Sequence, residues 1–454
     1  MRNYKKYYYL FWVSFILFSL SARAQNNLSF SEAQDIMYHK NTLVKAVHKS
    51  QEAYSFEEKA ARGLHYPTIN ALGSATIMNK DVTVDLNNEK AKVAQLLQLS
   101  SPNILGNWDF ILQKNNIEFA GIGFLWPVYT GGKINAAQRA AKIKSSMGEN
   151  EMTNTKNKLV SELAERYFQA KLAAEALIVR KDVLEVMNQH LYDAQKLEQR
   201  GMIAETETLQ AKVAVADANR EVLAAAKDVK LSLAALANTL EADSLNVKLS
   251  TEFFVAQNVK PLKYYQDLAA ANYPEIQKLR LQGKLVDEQI TNEKADYYPH
   301  VMLAGTKVFV SNNFPLIKNP AVAGVAVTYT IFNGNQRKNK IDAASATREE
   351  VTLYREKAET DIRTLVEKLY DDLQKQNEQL ESIGASLTYS KELLRVRTKA
   401  FAEGIATSVD VVDAQLHLAS IELQQLNAYA NYDITLAKIF EYSGISQEFS
   451  GQIH

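Results

Sequence analysis

The chain is written twice, and no other feature narrows its fold as far. Tyr129 aligns with Phe332 and Gly201 with Gly404, each pair 203 positions apart (332 − 129 and 404 − 201). Ala211 with Ala414 and Leu233-Ala234 with Leu436-Ala437 keep the same shift, so one register runs without a gap from Tyr129 to Ala234. Upstream, "QDI" (34–36) matches "QDL" (266–268), and "HYP" ending at Pro67 matches "YYP" ending at Pro299, at a shift of 232 (299 − 67). The excess, 232 − 203 = 29 residues, is an insertion between Pro67 and Tyr129 that includes "SPNILGNWDF". Length variation of this kind belongs to a surface loop, here an outer one. The two repeats read as 25–240 and 259–445.

Inside each half the hydrophobic period switches. After Pro67, Ile69, Ala71, Ala75 and Ile77 alternate with Thr68, Asn70, Ser74 and Thr76; later Ala323, Val325, Val327, Tyr329 and Ile331 alternate with Gly324, Ala326, Thr328 and Thr330. Period two means strand. With strand-like stretches at 117–129 and 300–310, the chain carries four strands of about 11 residues in two hairpins, about 68–129 and 300–332, a length that crosses a bilayer when tilted. Elsewhere the period is helical. Val366, Leu373, Leu380, Leu387, Leu394 and Phe401 fall seven apart, as do Leu163, Ala170, Leu177, Leu184 and Leu191. These are coiled-coil seams. After Gly404, steps of three and four resume from Val412 to Phe440 and break at Asp433. Gly201 and Gly404 read as turns between antiparallel helices, giving helical hairpins at about 133–240 and 335–443. Gly131, Gly132 and Gly334 stand where a strand hands over to a long helix.

Bulk properties remove several function classes. Lys+Arg and Asp+Glu are both 52, so no net field favours nucleic acid. Cysteine is absent, which excludes disulfides, thiolate metal sites and cysteine nucleophiles. The seven histidines show no ligand spacing, and no phosphate loop, nucleophile elbow or HExxH is present. The sequence therefore calls for no cofactor and no enzyme activity. Arg2, Lys5 and Lys6, an apolar run of roughly 14 residues and Ala22-Arg23-Ala24 read as a cleaved leader over residues 1–24. No later run is apolar enough for a spanning helix, so a membrane would be crossed by strands.

At these residues the chain resembles the TolC-like outer membrane efflux proteins. The likeness rests on "PVYTGG" (127–132) with its copy "TIFNGN" (330–335), "HYP" and "YYP", "NYPEI" (272–276), and above all "FAEGIATSVDVVDAQLHLASIELQQLNA" (401–428). It implies a mainly α fold with a β-barrel part: duplicated antiparallel coiled-coil helices forming a periplasmic tunnel, and four strands per protomer given to a shared transmembrane barrel. It further implies a homotrimer in the cell outer membrane, in contact with its lipid, the exit duct of a tripartite efflux or type I secretion system, opened by a periplasmic adaptor that grips the hairpin tips and by an inner-membrane pump. Physics reaches part of this alone: four strands cannot close a barrel, and open edges in lipid leave backbone groups unpaired. Eight strands are already a viable number, so spacing leaves a dimer open and the trimer comes from the resemblance. Trp108, Trp126, Tyr129, Tyr329 and Phe332, near the proposed strand ends, suit membrane interfaces, and core packing explains them about as well. Lys133, Arg139, Lys142, Arg337, Lys338 and Lys340 read as a solvated helix face or a head-group contact.

The resemblance also implies a gate. Asp410 and Asp413, three apart after Gly404, match aspartates that line the tunnel's periplasmic mouth, and Glu207 occupies the first-repeat equivalent of Asp410 (410 − 207 = 203). Thr407 and Asp410 also fit a simple capping box. Phe401 and Ala406 stand where better-known members carry a tyrosine and an arginine that tie the closed state, so a latch made by those hydrogen bonds is not expected. The alternative from another class is a soluble periplasmic coiled-coil scaffold or adaptor.

Overall fold

The computed structural model describes residues 27–313 and 320–453; the leader at 1–24 lies outside them. In chain order the elements are β1 (Asn27–Leu28), α1 (Phe30–Lys40), α2 (Thr42–Arg62), β2 (Thr68–Ile77), β3 (Val82–Asp85), α3 (Asn87–Leu96), β4 (Asp109–Gln113) and β5 (Asn116–Tyr129). There follow α4 (Lys133–Gln199), α5 (Glu205–Thr239), β6 (Lys248–Leu249), α6 (Leu262–Asn272), α7 (Pro274–Ala295), β7 (His300–Asn312), β8 (Ala321–Thr328), α8 (Gln336–Ala402) and α9 (Ser408–Tyr442). Helices α4 and α8 have 67 residues each, about 100 Å at 1.5 Å per residue. Contacts divide the chain into two units: residues 53–146 with 281–352, and residues 1–52, 147–280 and 353–454.

The unit of residues 53–146 and 281–352 is built on an antiparallel sheet in the order β2-β5-β7-β8. Its register carries the sequence alternation across four strands. Ile69 pairs with Phe124, Phe124 with Gly305, and Gly305 with Ala323; Ala71, Ile122, Lys307 and Ala321 form the next row. Cross-strand partners share a face, so Ile69, Ala71, Ile122, Phe124, Trp126, Leu303, Ala323 and Val325 line one face, while Thr68, Asn70, Ser74 and Thr306 line the other. The apolar face is open to the outside: Ile69 is 71% exposed and Val325 63%.

The second hairpin ends earlier than its alternation suggests, at Thr328 instead of about 332. The reason is Arg337, whose buried guanidinium donates to Asp296 O (2.7 Å) and Ile331 O (3.2 Å) and lies 4.6 Å from the Tyr297 ring. It holds the chain before α8 out of the ladder. The basic cluster read as a free face is thus largely engaged: Lys133 pairs with Asp296 (3.0 Å), Arg139 with Glu288 (2.8 Å) and Lys340 with Glu293 (3.7 Å). The insertion folds as β3, α3, a 3₁₀ turn at Pro102–Leu105 and β4. Trp108 sits there, half-buried, with Nε1 donating to Leu105 O (3.1 Å), so it belongs to this module and not to a strand end of the four-stranded sheet.

The other unit is helical. Its largest core joins Phe30, Leu163, Tyr167, Phe168, Val366, Leu373, Leu436 and Phe440. Tyr167 fastens two crossing segments, its hydroxyl donating to Leu28 O (2.6 Å) and accepting from Thr251 N–H (3.0 Å), beside the parallel pair β1–β6. Further along, α4 buries Val183, Met187, His190, Ala194 and Leu197, whereas Leu184 and Leu191 are only half-buried. Small Ala211 and Ala218 of α5 and Ala419 of α9 receive this stripe. A helix flanked by two neighbours encloses most deeply the side chains between them, and a single-seam reading puts the seam one residue off.

Candidate functional site

The two helical hairpins turn in the same way. After α4, Gly201 N–H donates to Glu198 O (2.8 Å) and Met202 N–H to Leu197 O (2.9 Å); after α8, Gly404 N–H donates to Phe401 O and Ile405 N–H to Ala400 O, both 2.9 Å. The glycines take φ of +74° and +72°, which closes a helix end by satisfying its last carbonyls.

The next helices start differently, and one residue explains why. At α9, Asp410 N–H donates to Thr407 Oγ1 (3.3 Å), while Thr407 N–H (2.9 Å) and Oγ1 (2.7 Å) donate to Asp410 Oδ2, a complete capping box. At α5 the capping place holds Ala204, which has no side-chain acceptor. Glu207 therefore has no capping hydroxyl to answer, and its Oε2 accepts instead from the N–H of Ser408, 2.6 Å away on the other hairpin. One carboxylate at the start of α9 is supplied locally and a second comes from α5, both favoured by the helix dipole.

Ser408 also anchors a buried polar link. Its hydroxyl lies 2.6 Å from Nε2 of His190 on α4, and the His190 ring packs on Phe401 with centroids 4.6 Å apart. Burial pushes the His190 pKa down, against the opposing pull of Asp193 and Glu207, which favours a neutral imidazole near pH 7. The pair has the outline of nucleophile and base, but Ser408 is 0% exposed and no substrate reaches its hydroxyl. Its role is cohesion between hairpins.

Asp410 is half-buried, and Arg397 Nη1 approaches its Oδ1 at 3.2 Å. The two hydrogen bonds from Thr407, then Arg397, hold the Asp410 carboxyl below the usual carboxylate range. Asp413, almost one turn further on, is exposed. The structure thus gathers Glu207, Asp410, Arg397, Ser408 and His190 at one helix start, with Asp413 beside it. His190, one of the seven histidines without ligand spacing, and Ser408 and Arg397 are not among the candidate site residues that the sequence singles out. The available signal was His190 in three-and-four steps with Met187 and Ala194, together with a second hydroxyl, Ser408, directly after the cap.

The strand–helix glycines lie in the sheet-bearing unit. Gly131, Gly132 and Gly334 have φ of +63°, +95° and +65°. Gly131 is the tightest: a Cβ there would sit 2.4 Å from Ala295 O and 2.9 Å from Tyr298 Cβ. Among the described residues no group of His, Cys, Asp or Glu could hold a metal ion, and no helix is long and apolar enough to cross a membrane.

Comparison with known proteins agrees with this architecture. The family model described as outer membrane efflux protein matches residues 38–241 and 266–444. No curated protein is significantly similar. Among solved structures the fold is similar to that of CusC, from work on its folding and transmembrane channel formation (13% identity, 91% of each chain, TM-score 0.74). It is also similar to the outer-membrane channel OprN (16% identity, 91% of this chain and 89% of that one, TM-score 0.75). The open-state outer membrane channel MtrE of Neisseria gonorrhoeae is a third (18% identity, 92% and 89%, TM-score 0.72).

Proposed function

The chain belongs to the outer membrane efflux protein family, and within it we propose a passive homotrimeric exit duct that a periplasmic adaptor and an inner-membrane pump open from below. It is an outer membrane channel component of an efflux system, of a family whose members are not enzymes. Closure by further copies is supported by the sheet, while the number three and the adaptor and pump follow from the family resemblance. Its outer strands β2 and β8 each have one unpaired edge among the described residues, and one face is apolar across all four strands. In lipid such edges need partners, and only further copies supply strands of matching length. Three copies give twelve strands and a shared barrel. The alternative of a soluble scaffold would need a second sheet over the apolar face, and none covers it among the described residues.

In the helical unit the proposed gate is Asp410 and Asp413, with Glu207 as a third acid. Three copies would set six to nine carboxylates around one mouth, favouring cations and resisting joint ionisation. The tips around Gly201 and Gly404 are the proposed adaptor contact, and Gly131, Gly132 and Gly334 the strand–helix hinges. The test of copy-to-copy closure uses the absence of native cysteine. With one cysteine at Ala71 on β2 and a second stepped from Val322 to Val327 on β8, one register should yield disulfide-linked oligomers in membranes. Monomer in every register would refute the shared barrel.

A further inference from the structure

Resting on the reading of a ring of copies, we propose that α5 and α8 carry the two halves of one joint, α5 of each copy zipping antiparallel onto α8 of the next beside the turns. On α5, Leu209, Val213, Ala216, Arg220 and Leu223 are exposed, Val213 at 61% and Leu223 at 60%. They lie off the side of α5 that carries Ala211 and Ala218, which the chain's own neighbouring helices cover. On α8, Val396, Leu393, Tyr389 and Ser386 are exposed, Tyr389 at 75%, and Ala400 is half-buried. The α8 residue that joins the local core at this end is Phe401, one position further on. Each helix therefore has a second seam, in steps of three and four, that no element covers among the described residues.

The two seams match step for step. From Leu209 to Leu223 the α5 residues advance by 4, 3, 4 and 3, and from Ala400 back to Ser386 the α8 residues retreat by 4, 3, 4 and 3. Laid antiparallel, they give layers without slippage: Leu209 on Ala400, Val213 on Val396, Ala216 on Leu393, Arg220 on Tyr389 and Leu223 on Ser386. Large meets small in the first, third and fifth layers. In the fourth, the flat face of the Arg220 guanidinium suits the Tyr389 ring, while its N–H edge keeps Asp217 at 2.8 Å. The register also leaves the turns level. Leu209 is 4 residues inside α5 (209 − 205) and Ala400 is 2 inside α8 (402 − 400), a difference of about 3 Å at 1.5 Å per residue. The partner is a second copy because a ring closes by joining two different faces of one chain head to tail. Two α5 seams laid parallel in register would instead face Arg220 with Arg220.

The test is disulfide cross-linking of the full-length protein in membranes, where the native chain brings no cysteine. Val213→Cys with Val396→Cys should give a ladder ending at three linked chains, because facing seam positions come within the roughly 4.4–6.8 Å Cα separation a disulfide needs. Both side chains are exposed in the single chain, so neither change empties a core. Each single variant should stay unlinked. Val213→Cys with Tyr389→Cys, seven residues or about 10 Å out of register, should link at least tenfold less. Self-linking by Val213→Cys alone, equal linking in both registers, or linking only to a different protein would overturn the joint. Linking of the β2–β8 cysteine pair with none between Val213 and Val396 would overturn the joint and leave the ring standing. Failure of the ring reading looks different: the β2–β8 pair would stay unlinked as well.

Discussion

Replacing Asp433 with asparagine removes a carboxyl whose ionised form the helical core cannot solvate. Asp433 is 0% exposed, and neither carboxylate oxygen has a hydrogen-bond partner within bonding distance. Burial pushes its pKa up to about 9. The native protein therefore keeps a proton that the unfolded chain releases above about pH 3.9. Stability is unaffected by this group below about pH 4 and falls as pH rises from there towards 9, because the unfolded state binds fewer protons over that window. At pH 7 the span is about three pH units, a destabilisation of about 4 kcal/mol at 1.36 kcal/mol per unit. Asparagine keeps the shape, cannot ionise, and should flatten this dependence. The assay is thermal unfolding of the detergent-solubilised protein at one scan rate, since membrane assemblies melt irreversibly. Asp433→Asn should melt with the wild type at pH 4.5 and clearly above it at pH 8. Parallel melting curves across that range would refute the reasoning.

Three further outcomes are expected. Gly131→Ala should prevent stable assembly, because it adds a clash with Ala295 O to a left-handed φ, whereas Gly334→Ala, with open space around it, should cost only about 1–2 kcal/mol; oligomer yield on mild gels separates the two. His190→Ala and Ser408→Ala should couple by about 1–3 kcal/mol in a double-mutant cycle of thermal stability, since each leaves the other's buried polar atom unpaired; additive losses would remove the link. Asp410→Ala with Asp413→Ala should raise single-channel conductance and weaken block by divalent cations, and unchanged values would return Asp410 to capping alone.

Much of the architecture was legible because it repeats. The shift that pairs Gly201 with Gly404 also pairs the turn hydrogen bonds to Leu197 O and Ala400 O, so local chemistry written twice gave the same turn twice. Strand faces were legible because alternation needs no knowledge of partners. What failed depended on neighbours distant in sequence. Asp433 reads as a break in the apolar steps, yet it occupies the buried stripe with Ala430, Leu436 and Ala437; a carboxyl there is tolerated by protonation, which periodicity cannot express. Arg337 reads as one of several surface cations, and only the nearby Tyr297 ring and Ile331 carbonyl make it a structural clamp. At the start of α9 the acids were visible, but the turn of Glu207 towards Ser408 follows from a missing hydroxyl at Ala204 and a helix brought close by folding.

We propose that other copies complete the four strands of each chain into a conducting barrel. The mass of the detergent-extracted protein, measured on the sample whose conductance is recorded in planar bilayers, tests it most directly. Three chains per particle and stepwise ion conductance are expected. A detergent-independent monomer that passes no current would contradict it.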